Sequence, residues 1–227
     1  MLTLHYLNDS RAQRILWLCE ELSIPYVLKA YQRDTTFRRA PPELASAGTL
    51  GKSPSIEDSG EDGSKKVVLG ESGAIVQYLI TMYAKDTEMY VESGSDGWSE
   101  DLFYTHLAEG SLQPLLMMPL FTEVYKLGAD GQDMKSIREK YINPNLFKFG
   151  KLITDRLLAV GPGKYLAGRS SPTAADFMMS YTLEAFIARA PQEAISDEIR
   201  SYVKTIHERP AYKRALVKGG PFSMIGC

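Results

Sequence analysis

The first 31 residues constrain this chain most. LTLHYL (2–7) alternates weakly and is flanked by a polar cluster, the mark of a short strand. Asn8, Asp9 and Ser10 follow, and each is a good helix N-cap. Ala12, Ile15, Leu16, Cys19 and Leu22 then recur at helical spacing, with Glu20 and Glu21 on another face. Pro25 ends that helix, and YVLKAY (26–31) offers a second strand. A strand, a helix and a strand joined in this way form a crossover of the length that parallel pairing needs.

The rest of the first half extends the pattern. Pro41 and Pro42 can open a short helix over about 42–47, because proline is tolerated at the first helical position. Ser55–Glu57 and Lys66–Leu69 flank a turn-rich 58–63 and read as an antiparallel hairpin. Glu71 and Ser72 open a helix with Ile75, Val76, Leu79, Ile80 and Tyr83 inward. Parallel pairing at the start and a hairpin at the end predict a small α/β sandwich on a mixed sheet. From about 84 to 99 the chain is polar, with two glycines and little periodicity, and reads as a linker.

Helical patterns then take over. We expect one helix over 100–126, bent at Pro114 and Pro119, and another over 133–160, broken near Pro144. Thr173 begins a third that runs to about Arg189, and 195–208 and 211–218 give two more. No strand signal appears, so this half reads as an all-α bundle. The division expected is an α/β domain over 1–85, a linker over 86–99 and a helical domain over 100–227.

Composition narrows the function classes. With 26 basic and 28 acidic residues the net charge is -2, so no basic excess serves nucleic acid. No apolar run reaches the length of a membrane span, and the N-terminus lacks the features of a signal peptide. Two cysteines, Cys19 and Cys227, make neither a disulfide framework nor a four-thiolate zinc site. The expectation is a soluble, reduced, cytoplasmic protein. Three scattered histidines without HxxxH spacing give no argument for a metal.

Three short stretches can carry chemistry. Asn8-Asp9-Ser10 delivers a strand to a helix N-terminus, where free N–H groups and the positive end of the dipole attract anions. Gly51-Lys52-Ser53-Pro54-Ser55 places a proline at the start of a strand, a position where a cis peptide is often kept. Glu71-Ser72 caps the next helix and can bind a carboxylate and an ammonium group together. Each stretch alone also reads as an ordinary cap or turn.

Their order resembles that of the glutathione transferases, in particular the fungal Gtt-type branch and its bacterial relatives. The resemblance rests on LNDSRAQRILWLCEELSIPY, YQRDTTFRRAPPELA, LGKSPSIED and GESGAIVQYL. In the second half, HLAEGSLQPLL, YLAGRSSPTAADF and RPAYKRALVKGGP also match. It implies a thioredoxin-like N-terminal domain, a helical C-terminal domain and a homodimer. By the same resemblance Pro54 is the cis-proline, and the Ser53 backbone pairs the cysteinyl unit of glutathione. Glu71 and Ser72 then grip its γ-glutamyl end, and Lys52, with Arg38, meets its glycyl carboxylate. Thr173 and Asp176 match a capping motif of the helical core and read as structural. Gly48-Thr49 departs from a proline often found there, which bears only on the loop's rigidity.

The catalytic group is open at this point. An ungapped match back from Arg11-Ala12 puts His5 in the usual tyrosine position, while Tyr6, one step on, falls on the other sheet face. No cysteine stands there, which disfavours the redox chemistry of the cysteine branches. A free thiol with a pKa of about 8.5 is only slightly ionised at pH 7. Holding most of it as thiolate needs a drop of roughly two units, or about 2.7 kcal/mol. A helix end supplies roughly 0.3–1 kcal/mol and one charge-assisted hydrogen bond about 1.5–3 kcal/mol. The dipole plus one donor from Ser10 or Asn8 therefore suffices, with Tyr6 the group to test next. Tyr104, Leu107, Ser111 and Met117 are spaced to wall an electrophile pocket between the domains.

Three functions compete on this reading. In the first, the glutathione thiolate attacks a hydrophobic electrophile. In the second, it adds reversibly to a conjugated alkene and returns a cis/trans isomer, with a place in a specialised biosynthetic pathway. The third is a non-enzymatic binding module, which the presence of Lys52, Pro54, Glu71 and Ser72 argues against.

Overall fold

The computed structural model describes residues 1–36, 38–47, 51–60, 63–64, 66–124, 132–220 and 222. Cys227 and the Gly48-Thr49 departure lie outside them. The chain divides into two compact units. The first holds Met1–Tyr90 with His207–Gly226, and the second holds Val91–Ile206. The helix near 211–218 thus belongs with the N-terminal residues, whereas the sequence division placed it in the helical domain.

The first unit is built on a sheet ordered β2-β1-β3-β4, formed by β1 (Leu2–Leu7), β2 (Tyr26–Tyr31), β3 (Ser55–Asp58) and β4 (Val67–Leu69). β1 pairs parallel with β2 and antiparallel with β3, and β3 pairs antiparallel with β4. The mixed sheet follows from the crossover and hairpin read in the sequence. The expected helix at 42–47 is a single 3-10 turn, Pro42–Ser46, too short to complete an α-helical ladder.

α1 (Ala12–Leu22) is the centre of this unit. Every residue from Ala12 to Glu20 is buried. Its acidic face does not look to solvent, because α9 (Pro210–Gly219) covers it. Arg214 Nε donates to Glu20 Oε2 at 2.9 Å, Lys218 Nζ to Glu20 Oε1 at 2.5 Å, and Arg209 Nη2 to Glu21 Oε2 at 2.9 Å. Gly219 permits the approach: a Cβ there would sit 2.7 Å from Tyr6 Oη. α2 (Ser72–Tyr83) packs on α1 as well, turning Ile75, Val76, Leu79 and Ile80 inward.

The second unit is helical among its described residues: α3 (Trp98–Leu107), α4 (Gln113–Val124), α5 (Gln132–Ile137), α6 (Asn143–Val160), α7 (Ala174–Arg189) and all but the last two residues of α8 (Asp197–Glu208). α7 is its buried axis, with every residue from Ala174 to Ile187 buried. Two wide π turns, Ala108–Leu112 and Arg138–Ile142, join α3 to α4 and α5 to α6. In each the N–H that closes the turn reaches five residues back, from Gln113 to Ala108 and from Asn143 to Arg138. Each closing residue directly precedes a proline, Pro114 or Pro144. A proline cannot donate to the carbonyl four residues back and its ring presses on it, so the widened turn relieves that conflict without ending the helix. Gly150 marks a second close approach, since a Cβ there would lie 2.1 Å from the Ala194 carbonyl oxygen.

Candidate functional site

Strand β1 runs into α1 through a turn stitched by short polar side chains. Ser10 Oγ donates to the Leu7 carbonyl at 2.7 Å and accepts the Ala12 N–H at 3.1 Å, which caps the first turn of the helix. Ser53 Oγ accepts the Leu7 N–H at 3.0 Å and donates to the His5 carbonyl at 3.0 Å, binding the next loop to β1. The Ser53–Pro54 peptide in that loop is cis. The backbone N–H and C=O of Ser53 find no partner among the described residues, so this short extended edge is open.

Asn8 behaves differently from Ser10. Its Oδ1 accepts the Arg33 backbone N–H at 2.8 Å, and that bond fixes which end of the amide is which, because an N–H can only donate. Nδ2 then has two N–H donors with no acceptor among the described residues. The Ser10 hydroxyl has one hydrogen, and the Leu7 carbonyl takes it.

At the start of α2, Ser72 is buried and its Oγ accepts from Arg14 Nη1 at 3.1 Å. The Ser72 hydroxyl hydrogen remains available, and the first N–H groups of α2 have no intrahelical acceptor. Arg14 is fully buried, so a guanidinium charge lies under this helix end. Glu71 is exposed, with a left-handed backbone at φ 62°. Lys52 is exposed and makes no ion pair among the described residues. Open donors at Asn8, Ser53 and Ser72, an unpaired ammonium at Lys52 and an exposed carboxylate at Glu71 together suit an extended peptide bearing two carboxylates and an amine.

Comparison with known proteins agrees. Residues 10–82 match the family model "Glutathione S-transferase, N-terminal domain". Glutathione S-transferase 1 of Saccharomyces cerevisiae is 29% identical over 222 residues, which cover 93% of this chain and 92% of that protein. Glutathione S-transferase 3 of Schizosaccharomyces pombe is 29% identical over 233 residues, covering 96% and 88%. Along nearly its whole length the chain is similar to glutathione S-transferases. A solved glutathione S-transferase from Actinobacillus pleuropneumoniae, 28% identical, superposes on 100% of this chain and 97% of its own with a TM-score of 0.80. The thioredoxin-like sheet followed by a helical region is the glutathione S-transferase fold expected from the sequence.

Within this superfamily fold several expected roles change. Tyr6 is not at the site: it is buried on the α1 side of the sheet and donates to Gln13 Oε1 at 2.9 Å. His5 points the other way and is engaged at both ring nitrogens, Nδ1 to Tyr31 Oη at 2.9 Å and Nε2 to Glu57 Oε1 at 2.8 Å. That bond holds the Glu57 carboxyl below its usual range, while burial, then the Glu57 charge, pushes the Tyr31 phenol up. Arg38 is turned to Asp9, with Nη2 2.6 Å from Oδ2, and so does not stand free for a carboxylate as Lys52 does. Cys19 is no nucleophile: burial first, then the Glu20 charge, pushes its thiol up to about 12.

The four proposed wall residues do not share one surface of the helical unit. Tyr104 and Leu107 are buried in its core, Ser111 is exposed on the π turn, and Met117 Sδ accepts from Arg189 Nη1 at 3.4 Å. The extra residue of the π turn rotates everything after it relative to a regular helix, which the spacing argument assumed. An open cleft of about 400 Å³ with a mixed lining does lie in this unit, bordered in part by Leu116, Leu120, Ile142, Leu146, Arg138 and Arg189, and none of the four borders it. The Thr173–Asp176 capping box is present and structural. No group of three or more metal-ligating side chains occurs among the described residues. Nor is any described helix long and apolar enough to cross a membrane.

Arg14 and Arg33 were missed in the sequence, and Asp9 was read as a cap rather than as the partner of Arg38. Arg14 carried a readable signal, a charge three residues before Trp17 and one before Ile15 on a helix buried all round. Arg33 carried none, since its contacts with Asn8 and Asp9 span 25 and 24 residues of chain.

Proposed function

We propose that this protein is a glutathione S-transferase whose Asn8 side-chain amide stabilises the thiolate of bound glutathione for attack on a hydrophobic electrophile. The observation that carries this is the unspent Nδ2 of Asn8 beside a Ser10 whose only hydrogen is already committed. The helix dipole and one donor to the ionised sulfur together supply about the 2.7 kcal/mol that thiolate formation at neutral pH requires. The Ser53 backbone pairs the cysteinyl unit, the α2 end with Glu71 and Ser72 holds the γ-glutamyl group, and Lys52 faces the glycyl carboxylate. The thiol proton passes to solvent, and the thiolate forms the new carbon–sulfur bond while the bond to the leaving group breaks, an aromatic halide releasing its halide ion to water. A homodimer is the expected assembly, which light scattering checks.

The test has two stages. Purified protein should be retained on immobilised glutathione and eluted by free glutathione, and failure to bind removes this reading altogether. Incubated with glutathione and an aromatic halide, it should give a product with the mass of an adduct. Unchanged mass with altered retention, on an alkene substrate, would instead mean isomerisation.

A further inference from the structure

Arg33 follows β2 and returns its guanidinium across the β1–α1 turn. Nε donates to the Asn8 carbonyl at 3.0 Å, Nη2 to the Asp9 carbonyl at 3.4 Å and Nη1 to the Arg38 carbonyl at 2.9 Å. With its backbone N–H on Asn8 Oδ1 at 2.8 Å, one residue spends four donors on two loops. The two loops are also joined directly by the Arg38–Asp9 ion pair.

The backbone held in this way is not one the chain adopts freely. Asp9 and Arg38, whose carbonyls Arg33 takes, are both left-handed, with φ of 49° and 56°. A side chain with a Cβ disfavours that region, so the surrounding contacts must over-determine it. A guanidinium suits the task, since it presents several donors at fixed angles, accepts nothing and stays charged. If Asp9 relaxed to an extended backbone, the Asn8 carbonyl and amide would swing with it, and Nδ2 would leave its place.

We propose that Arg33 is a positioning residue that acts through Asn8, holding the side-chain amide so that Nδ2 meets the sulfur of bound glutathione. This rests on the assignment of Asn8 as the thiolate donor. Arg33 is not itself a partner of the sulfur.

The test titrates the ultraviolet thiolate absorbance of glutathione bound to the whole protein, with the glutathione Kd measured in parallel. Arg33→Ala should raise the bound thiol's pKa by about one unit, a roughly tenfold fall in the thiolate-to-thiol ratio at fixed pH, while Kd changes by less than about threefold. Arg33→Lys should also raise it, because one ammonium keeps the charge but cannot serve three separated carbonyls. Asn8→Ala should give a similar rise, and the double variant no more than Asn8→Ala alone. A normal pKa in Arg33→Ala or Arg33→Lys, with Asn8→Ala raised, overturns the role of Arg33 and leaves Asn8 standing. Additive shifts in the double variant overturn it too. A normal pKa in Asn8→Ala removes the donor assignment itself and this inference with it. Should Arg33→Ala fail to fold, Arg33→Lys decides by the same criterion.

Discussion

Two loop-to-helix junctions in this molecule use similar short polar side chains and end in opposite states. At the start of α7, Asp176 is wholly buried and its carboxylate is saturated. It accepts the Thr173 N–H at 2.7 Å, the Thr173 hydroxyl at 3.0 Å, the Leu166 N–H at 2.9 Å and the Tyr202 hydroxyl. At the start of α1, Asn8 is half-buried, one end of its amide is fixed, and the other end is unspent. The first junction closes every polar group on the protein itself, which is what a structural cap must do when no water can reach it. The second is assembled with equal care and leaves the two N–H groups of Asn8 Nδ2 without an acceptor among the described residues. That leftover donor, not the presence of polar residues at a helix end, separates a candidate site from a cap.

The largest effect expected from this contrast is on stability. Asp176→Ala strands two buried backbone N–H groups and the Tyr202 hydroxyl, each costing about 1–3 kcal/mol, so the variant should lose on the order of 3–5 kcal/mol in urea unfolding. A loss below about 1 kcal/mol would mean that the junction is not saturated as described. Gly219→Ala should cost roughly 1–3 kcal/mol by forcing α9 away from Tyr6, and an unchanged midpoint would contradict the packing of α9 on α1. Ser10→Ala removes the bond to the Ala12 N–H and the one to the Leu7 carbonyl, so about 1–2 kcal/mol is expected, with no change in the bound thiol.

The pH dependence should run in opposite directions for two buried aspartates. Burial pushes Asp176 up to about 6, outweighing its hydrogen bonds. Its contribution is therefore full below about pH 4, the unfolded value, and is lost as pH rises through about 6. Asp58 is also pushed up by burial, but the hydroxyls of Tyr83 and Tyr78 and the Gly60 N–H outweigh it, and its carboxyl ends below the usual range. Its contribution is present above the unfolded value and is lost as pH falls through the lower folded one. Asp176→Asn should abolish the first slope and Asp58→Asn the second, measured as unfolding midpoints between about pH 3 and 7. A variant that keeps its slope would show that the titrating group lies elsewhere.

Much of the fold was legible because its signals are local. The strand–cap–helix start, the hairpin at 55–69, the Thr173 cap and the proline before β3 all lie within a few residues of what they specify. The failures were of two kinds. Pro114 and Pro144 marked where the long helices are disturbed, but a proline does not say whether the helix bends, breaks or widens, and here it widens. Contacts over long separations were invisible. Glu20 and Glu21 read only as a second face of the helix, and nothing nearby in sequence announced Arg209 at the start of α9 or Arg214 and Lys218 within it. At the site, Ser10 and Asn8 looked alike as donors, and only the Leu7 carbonyl and the Arg33 N–H tell them apart.

That distinction is the central claim, and one titration tests it. The thiolate absorbance of bound glutathione should be followed against pH in the wild type, Asn8→Ala and Ser10→Ala. The account predicts a rise of about one unit in Asn8→Ala and none in Ser10→Ala. A rise in Ser10→Ala with Asn8→Ala at the wild-type value would contradict it and return the thiolate to the serine.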